Sequence, residues 1–593
     1  MEVLDYPFDS EYILKKKRSI KKLLLERGNL IEKKIAILSG STVGELQNIL
    51  ELFLLKHGIK PIFYQGSYNR FYEETVYENL ELTKFNPDII YIHTTVKNIM
   101  DFPSPFEIAS VTEQKINTII QNYIDVWDNI EKKFNCPIIQ NNFEPLPYRN
   151  MGNADVYRKD GSLNFINALN EKFYENAREK NYLYVNDINY QAAWYGVERW
   201  FDDSTWYLYK YPFAINAIPL VSHNIANIIK SIFGKNKKAL AIDLDNTLWG
   251  GVIGDDGIEG IELGVETAKG MAYTDIQKYL KNISKLGIAL NICSKNDETI
   301  AKTGFNHSSS ILKLNDFITF KANWNNKDLN IKEIAEELNI FTDSIVFLDD
   351  NPVERELVKN NLPEVAAPKL TLEHEYIKII DQSGFFEPTT FTEDDKNRNE
   401  YFKSNQLRKS AINNVNNYEE YLKSLQMICE IQQINEENLQ RVVQLINKTN
   451  QFNLTTKRYT LEDIKQFLTI DHNLSLCFKL KDKFGDNGIV SVLMASVFEE
   501  TLDIKLWVMS CRVFKRDLEK AIFDEIINWC YKENISKLRG TYYPTPKNKI
   551  VENLYSELGF KIIEDNEEYK VWEYFIEENY ERKNTVMEVK NYD

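Results

Sequence analysis

The stretch KKALAIDLDNT, residues 237–247, decides the fold of the middle of the chain. Its apolar run predicts a buried strand, and two aspartates, Asp243 and Asp245, stand directly behind it. Further apolar runs follow in LGIALNICSKN, DFITFKAN and SIVFLDDNP, with amphipathic segments between them. Strands that alternate with helices are typical of a parallel sheet covered by helices. We therefore expect an α/β domain over residues 236–385.

Acidic side chains follow two of these predicted strands. Asp243 and Asp245 follow the first strand, and Asp349 and Asp350 follow the last. Because the carboxyl ends of parallel strands meet at one edge of a sheet, where such folds bind ligands, we expect the four to lie close together. Carboxylates that close need a cation, and Mg²⁺ is typically held by carboxylates together with substrate phosphate. The sequence therefore predicts a Mg²⁺ site formed by these four aspartates.

A hydroxyl and an amine complete this edge of the sheet. Ser294 ends the predicted strand in ICSKN, and Lys327 follows a later strand in NWNNK, with Lys321 as the alternative lysine. Acids, a hydroxyl, an amine and a metal at adjacent strand ends suit the transfer of a phosphoryl group, whose negative charge needs stabilisation.

This ordered set resembles the haloacid dehalogenase (HAD) superfamily of phosphotransferases. The resemblance implies that Asp243 is the nucleophile that forms an aspartyl-phosphate, and that Asp245 protonates the leaving group and then activates water. The domain would be an uncapped, Rossmann-like HAD domain, because the sequence between Asp243 and Ser294 has room for one loop and one helix. An uncapped site suits a bulky substrate, and a protein is one such partner. The other implied roles are phosphoryl binding by Thr247 and Ser294, charge neutralisation by Lys327, and completion of the Mg²⁺ site by Asp349 and Asp350.

Longer motifs are similar to one family within this superfamily, the FkbH-like proteins of HAD subfamily IIIC. The similarity lies in DLDNTLWGGVIGDDG, LNICSKND, NWNNK and FLDDNPVERE, and further on in LINKTNQFNLTTKRYT, KDKFGDNGIVSV, VMSCRVFKR and TYYPTPKNKIVENLYSELGF. It is strong over residues 220–575 and looser over 33–225. It implies a glyceryl transferase/phosphatase that takes the glyceryl group of 1,3-bisphosphoglycerate, holds it as an enzyme thioester, releases phosphate and loads an acyl carrier protein in natural-product or polysaccharide biosynthesis.

The thioester implied by this resemblance needs a nucleophilic cysteine, because a thiolate attacks an acyl phosphate and is later displaced by another thiol. Cys293 is the first candidate, since it adjoins Ser294, and we expect the nearby lysine and Mg²⁺ to lower the pKa of its thiol. Cys511, in MSCRVFKR, is the second candidate. The alternative is that both are packed apolar side chains.

Consecutive apolar runs over residues 425–578 predict an α+β domain, and this region resembles the GNAT acetyltransferase fold. The segment CRVFKRDLEKA lacks the glycines with which that fold cradles the pyrophosphate of coenzyme A, so we do not expect the usual coenzyme A binding. Its basic side chains would instead contact a phosphopantetheine arm or an acidic carrier protein, or else form salt bridges at a helix start. The candidate contacts are Cys511, Arg512, Lys515, Arg516, Lys547 and Asn548.

An earlier α/β domain is expected over residues 33–225, and it loosely resembles SGNH hydrolases at Gly40-Ser41 and Asn141-Asn142. The usual GDS motif and a convincing DxxH motif are missing, which favours a scaffolding or carrier-docking role. We expect Trp194, Trp200 and Trp206 to pack at a domain interface. The remaining segments are a helical lead over residues 1–32, a helical linker over 386–424 and a tail over 579–593.

Length and charge restrict the possible partners. A chain of 593 residues exceeds the roughly 100–200 residues of one domain. With 72 basic and 88 acidic side chains the net charge is −16, which argues against nucleic acid and anionic membranes as partners. No leader segment and no run of about 18 apolar residues is present, so we expect a cytoplasmic protein. The 6 cysteines form no CxxC pair, which disfavours disulfides and structural zinc.

Two alternatives to the transferase remain open from the sequence. One is a plain HAD phosphatase in surface-polysaccharide synthesis, with the C-terminal domain merely structural. The other is a non-catalytic assembly protein with a vestigial site. The complete set of acids, hydroxyl and lysine counts against the second, because decay would be expected to have removed at least one of them.

Overall fold

The computed structural model describes residues 2–26, 28, 30–389, 393–412, 417–545 and 547–591. The chain divides into two compact units, which we call unit 1 and unit 2. Unit 1 comprises Met1–Asn236 and Ile380–Thr389, and unit 2 comprises Lys237–Ile379 and Thr390–Asp593. The expected class, an α/β protein of several domains, is confirmed.

Unit 1 is built on a parallel sheet with the strand order β2–β1–β3–β4–β5. Its strands are β1 (Ile31–Ser39), β2 (Ile59–Gln65), β3 (Ile89–His93), β4 (Ile138–Asn141) and β5 (Leu183–Asn186). Its α-helices are α1 (Ser10–Leu25), α2 (Gly44–Lys56), α3 (Phe71–Val76), α4 (Leu80–Phe85), α5 (Ala109–Phe134), α6 (Ser162–Glu179), α7 (Ile188–Tyr195), α8 (Val197–Trp200), α9 (Asp203–Tyr209) and α10 (Ile218–Ile232).

Apolar side chains cover both faces of this sheet, as expected for a parallel sheet between helices. On one face β1 packs against α1, α2 and α10, and the helical lead is part of this core because α1 buries Ile13, Ile20 and Leu24. Trp200 is fully buried in the same core, whereas Trp194 is 42% exposed. The two tryptophans therefore do not share the interface role that the sequence suggested.

The carboxyl edge of this sheet carries buried polar residues. Strands β1, β3, β4 and β5 end in Ser39, His93, Asn141 and Asn186, all buried. Asn141 accepts hydrogen bonds from the Tyr91 hydroxyl and the Asn186 amide, so this one of the residues that resemble SGNH motifs lies in an internal hydrogen-bond network.

The central part of unit 2 is a parallel sheet with the order β8–β7–β6–β9. Its strands are β6 (Ala239–Ile242), β7 (Ala289–Ser294), β8 (Phe317–Ala322) and β9 (Ile345–Leu348). The helices of this part are α11 (Ile253–Gly260), α12 (Ala268–Ser284), α13 (Glu298–Thr303), α14 (Lys327–Leu338), α15 (Pro352–Asn361) and α16 (Tyr376–Gln382). The chain between β6 and β7 forms α11 and α12, which leaves no room for a separate cap domain.

The remainder of unit 2 forms a mixed sheet with the order β16–β17–β15–β14–β13–β12–β10–β18, and β11 pairs with β14. Its strands are β10 (Met427–Gln433), β11 (Phe452–Asn453), β12 (Leu474–Asp482), β13 (Gly485–Phe498), β14 (Thr501–Met509), β15 (Lys537–Tyr542), β16 (Lys561–Asp565), β17 (Lys570–Phe575) and β18 (Met587–Asn591). Its helices are α17 (Glu393–Lys396), α18 (Arg398–Ile412), α19 (Tyr418–Ser424), α20 (Glu436–Lys448), α21 (Leu461–Leu468), α22 (Leu518–Lys532) and α23 (Leu554–Glu557).

The predicted tail over residues 579–593 is wrong for its last part. Residues 587–591 form β18, which pairs in parallel with β10 from Met427 to Ile431. The segment MEVKN is too short and polar to show the apolar run that identifies a strand, and its pairing partner lies far away in the sequence.

A buried ion network joins the linker helix α18 to the C-terminal sheet. Asp482, at the end of β12, accepts two hydrogen bonds of 2.8 Å from the Arg408 guanidinium and one of 3.1 Å from Arg516. Arg516 also donates to the Asn405 side chain, at 2.8 Å. The segment predicted as a linker is thus fixed to the domain that follows it.

We expect Asp482→Asn to destabilise unit 2 by about 3–5 kcal/mol, because it leaves Arg408 and Arg516 buried without their counter-charge. Glu419→Gln is the control, since the Glu419–Lys423 pair lies at the surface and is worth about 0–1 kcal/mol. Urea unfolding followed by fluorescence measures both changes. Equal effects of the two substitutions would show that the network contributes no more than a surface pair.

The structure also bears on membrane insertion. Within the described residues, no helix combines the length and apolarity needed to span a bilayer.

Candidate active site

Strand pairing brings the first two acids together. β6 and β9 are neighbours in the sheet, and Ile242 pairs with Leu348 as the last residue of each strand. The next residue in each case is an aspartate, Asp243 or Asp349, and the Asp243 amide donates to the Leu348 carbonyl at 2.9 Å. Two carboxylates therefore leave the sheet side by side at its carboxyl edge.

Three carboxylates form a potential cation site. Asp243, Asp349 and Asp350 each offer an oxygen, and these oxygens all lie within 4.8 Å of one another. The Lys327 ammonium stands among them, 2.9 Å from Asp243 Oδ1 and 2.5 Å from Asp349 Oδ2. When all are ionised, three negative charges and one positive charge leave a net −2. A divalent cation with oxygen ligands fits both the donor set and this charge.

The closeness of several negative charges shifts the pKa values of the side chains in this site. Burial and the neighbouring Asp243 carboxylate raise the pKa of both Asp349 and Asp350 above the ordinary aspartate value. Burial alone would lower the pKa of Lys327, but the Asp243 and Asp349 carboxylates outweigh it and raise this pKa. Lys327 is therefore an ammonium ion at neutral pH, as charge neutralisation requires.

Asp245 lies outside the group of three carboxylates. Its Oδ1 accepts hydrogen bonds from the Trp249 indole and the Ile253 amide, both at 3.0 Å, and its Oδ2 accepts one from Asn296, also at 3.0 Å. Burial raises the pKa of this carboxyl group. The three donors favour the ionised form of Asp245, but burial outweighs them, and a carboxyl group with a raised pKa beside the nucleophile candidate Asp243 is suited to exchange a proton.

Thr247 and Ser294 lie near the carboxylates, whereas the alternative lysine, Lys321, is paired elsewhere. Thr247 is buried, and its Oγ1 accepts from the Asp350 amide at 3.2 Å, while Ser294 is the last residue of β7, beside β6. Lys321 forms ion pairs of 2.7 Å with both Glu333 and Glu337 on α14. The geometry therefore brings Lys327, not Lys321, to the carboxylates.

Sequence reasoning missed the residues that hold these loops in place. The Arg355 guanidinium donates to the carbonyls of Asp349 and Asp350, both at 2.7 Å, and so fixes the loop after β9. Trp249 and Asn296 hold Asp245, as described above. All three lie inside motifs visible in the sequence, but nothing in a single sequence tells which loop their side chains reach.

Cys293 does not have the properties of a nucleophile. It is fully buried in the core of the central sheet, among Ala239, Ala241 and Ala289. Burial raises the pKa of its thiol and outweighs the lowering by the nearby Lys327 ammonium. Side chains alternate between the faces of a strand, so Cys293 and its neighbour Ser294 point in opposite directions.

Cys511 lies at the other end of the central domain. All six cysteines are among the described residues, and this is the one that is partly exposed. Its carbonyl accepts a hydrogen bond from Asn339, which ends α14. Because α14 starts at Lys327 and has 12 residues, about 18 Å separates the two ends of this helix. Cys511 is thus near the amino edge of the sheet, and the carboxylates are at the carboxyl edge.

The basic residues predicted to bind a carrier protein do not form one exposed patch. Arg512 lies over the Tyr401 ring, 4.3 Å from its centroid, and Lys547 forms a 2.7 Å ion pair with Asp343. Asn548 is fully buried, with its amide bonded to the Asn453 and Tyr543 carbonyls, and Arg516 belongs to the buried ion network. Lys515 is exposed. Internal partners therefore occupy most of the charges and amides that the sequence assigned to a carrier.

We expect iodoacetamide to alkylate the native protein at Cys511 and not at Cys293, because Cys511 is partly exposed and Cys293 is fully buried. Peptide mass spectrometry after labelling checks the site. Cys511→Ser should abolish the labelling, and Cys293→Ser should leave it unchanged. Modification of Cys293 in the folded protein would contradict the buried placement of that thiol.

Comparison with known proteins finds similarity in unit 1 and beyond it. The family model described as FkbH, N-terminal domain, matches residues 34–230. The solved structure of the N-terminal part of protein BF1531 from Bacteroides fragilis, which contains a phosphatase domain complexed with Mg, is also similar to this chain. Its sequence is 27% identical, and the TM-score is 0.58. This match covers 63% of this chain and 99% of that chain, so it extends past the residues of the family model. No curated protein matches.

Two N-acetyltransferases of known structure also match at low similarity. The ribosomal-protein-S18-alanine N-acetyltransferase from Escherichia coli is 11% identical over 26% of this chain and 99% of its own, with a TM-score of 0.21. The PaiA N-acetyltransferase from Thermoplasma acidophilum, solved in complex with coenzyme A, is 14% identical over 24% of this chain and 97% of its own, with a TM-score of 0.20. Likenesses this weak say nothing about activity. The family model, in contrast, matches residues 34–230, and the phosphatase-domain relative extends the similarity beyond them, so this chain is similar to FkbH proteins and to a phosphatase domain complexed with Mg.

Proposed function

We propose that this protein is an FkbH-like, Mg²⁺-dependent HAD phosphatase that acts on a phosphorylated three-carbon acid and transfers its glyceryl group to the thiol of an acyl carrier protein. The observation that carries the phosphatase step is the group of Asp243, Asp349 and Asp350 around Lys327 at the carboxyl edge of the central sheet. It combines a candidate nucleophile, a candidate cation site and a positive charge in one cluster, with the carboxylate oxygens within 4.8 Å of one another and the ammonium within 2.9 Å of two of the acids.

Mg²⁺ fits the donor set of this chain. Asp243, Asp349 and Asp350 present hard oxygen ligands with a net charge of −2 after Lys327 is counted, and the related BF1531 fragment was solved with Mg. When bound, Mg²⁺ would supply neutralisation of the charge on the phosphoryl group.

The side chains of the site divide the reaction between them. An Asp243 oxygen attacks phosphorus, the bond from phosphorus to the leaving oxygen breaks, and Asp245 gives its proton to that oxygen. Asp245 then takes a proton from the water that attacks the aspartyl-phosphate, which releases phosphate and restores Asp243. Thr247, Ser294 and Lys327 hold the phosphoryl oxygens during both steps.

The open site supports a substrate delivered by a protein. Within residues 243–288, all of which the structure describes, α11 and α12 are the helices between β6 and β7, so no cap domain is inserted there and a long flexible arm could reach the carboxylates. A phosphopantetheine arm on an acyl carrier protein has that shape. Both proposed substrates are cytoplasmic, so we place the enzyme in the cytoplasm, with neither nucleic acid nor membrane as a partner.

Two sites suit the two phosphates of 1,3-bisphosphoglycerate. The Cys511 thiolate would attack the acyl carbonyl, forming a C–S bond and expelling the C1 phosphate, and the carrier thiol would then displace Cys511. The C3 phosphate would be hydrolysed at Asp243. We assign the thioester to Cys511, because Cys293 is buried and its thiol pKa is raised. The distance of about 18 Å along α14 keeps the two reactions apart.

We expect Asp243→Asn to reduce phosphate release to background, because the amide cannot act as the nucleophile. Asp245→Asn should lower kcat by about 10²–10⁴-fold, the usual range of general acid–base catalysis. A colorimetric phosphate assay with Mg²⁺ and 3-phosphoglycerate measures both rates. Asp255→Asn, an exposed acid on α11, is the matched control and should retain full activity. Undiminished release by Asp243→Asn would refute the phosphatase assignment.

We expect intact-protein mass spectrometry to detect a glyceryl adduct after incubation with Mg²⁺ and 1,3-bisphosphoglycerate generated in place. The adduct should disappear in Cys511→Ala and persist in Cys293→Ala. Loss in Cys293→Ala alone would overturn the assignment of the thiol. Phosphate release without any adduct in the wild type would leave a plain phosphatase as the function.

A further inference from the structure

Asn246 has an uncommon backbone conformation at the centre of the site. It lies between Asp245 and Thr247, and its φ of 54° is in the left-handed region that few residues other than glycine adopt. Its side chain is held as well, because Asn246 Oδ1 accepts a hydrogen bond of 3.1 Å from the Gly251 amide. Asparagine adopts this region more readily than most residues, and the contacts around Asn246 fix it there.

Two tyrosine hydroxyls meet at one backbone atom of this residue. The Tyr273 hydroxyl donates to the Asn246 carbonyl at 3.1 Å, and the Tyr376 hydroxyl donates to the same oxygen at 3.2 Å. Both tyrosines are only 4% exposed. A carbonyl oxygen has two lone pairs, so the two phenols together use its full capacity as an acceptor.

The tyrosines approach from different helices. Tyr273 belongs to α12, and one turn further along the same helix the buried Gln277 donates to the Leu248 carbonyl at 2.9 Å. Tyr376 is the first residue of α16. The loop after β6 is therefore held on two sides.

We propose that Tyr273 and Tyr376 are positioning residues that hold Asn246 in its left-handed conformation and thereby aim the Asp245 carboxyl group at the leaving oxygen. This inference rests on the proposed phosphatase function. Phenylalanine would fill the same buried volume, so the hydroxyls add only the hold on the Asn246 carbonyl. Without them Asn246 is free to turn to a negative φ, and the peptide groups that carry Asp245 and Thr247 turn with it.

The leaving group provides a readout that a general loss of stability would not move. An alkoxide such as that released from 3-phosphoglycerate needs a proton from Asp245, whereas the p-nitrophenolate released from p-nitrophenyl phosphate does not. We expect Tyr273→Phe combined with Tyr376→Phe to lower kcat for 3-phosphoglycerate by about a hundredfold, the lower end of general acid catalysis. For p-nitrophenyl phosphate kcat should be nearly unchanged, and KM should be unchanged for both substrates.

Tyr531→Phe is the matched control. Its hydroxyl also donates to a backbone carbonyl, that of Glu577, but in the C-terminal sheet region, so both activities should be retained. An equal loss on the two substrates in the tyrosine pair variant, or no loss on either, would overturn the positioning role.

A second measurement does not depend on turnover. In a crystal structure of the double variant we expect the φ of Asn246 to leave the left-handed region, and a φ that stays near its present value would overturn the inference. If the wild type hydrolyses neither phosphate ester, the proposed function is contradicted, and the φ of Asn246 in the variant still decides whether the tyrosines hold that residue.

Discussion

The catalytic edge of unit 2 depends on one ammonium group, that of Lys327, between the Asp243 and Asp349 carboxylates. The pairing of β6 with β9 forces these two acids side by side, and in a buried setting their repulsion would be costly without a counter-charge. Lys327 starts α14, so this helix is fixed to the site at one end. The net −2 that remains with Asp350 suits a divalent cation, and a bound cation would in turn offset the negative charge of a phosphoryl group.

Helix α14, which starts at Lys327, also separates the carboxylate site from Cys511. α14 leads from Lys327 to Asn339, whose side chain bonds the carbonyl of Cys511 at the far edge of the sheet. An accessible thiol and the phosphoryl site therefore belong to one unit without sharing a pocket. In the proposed reaction, a substrate with an acyl phosphate at one end and a phosphate ester at the other would use both sites, and a carrier-bound arm would carry the acyl group between them.

Strand periodicity and motif order were enough to predict both parallel sheets and the meeting of Asp243, Asp349, Asp350 and Lys327 at one sheet edge, but they also placed Asp245 in that group of carboxylates, and the structure does not. They could not predict the burial and the hydrogen-bond partners of residues that depend on which face of a strand or helix packs inward. Cys293 and Ser294 are neighbours in the sequence, yet one is in the core and the other at the site. Arg516 and Asn548 look like surface ligands until their distant partners Asp482 and Asn453 are known, and β18 forms only because β10 is there to pair with it.

The most direct test of the account is a crystal structure of the protein with Mg²⁺ and beryllium trifluoride, a mimic of a phosphoryl group on a carboxylate. We predict that beryllium bonds to an oxygen of Asp243, with the metal ion held by Asp243, Asp349 and Asp350 and with Asp245 facing the fluorides. A metal ion bound elsewhere, or an adduct on Asp245 in place of Asp243, would contradict the assignment of nucleophile and cation site.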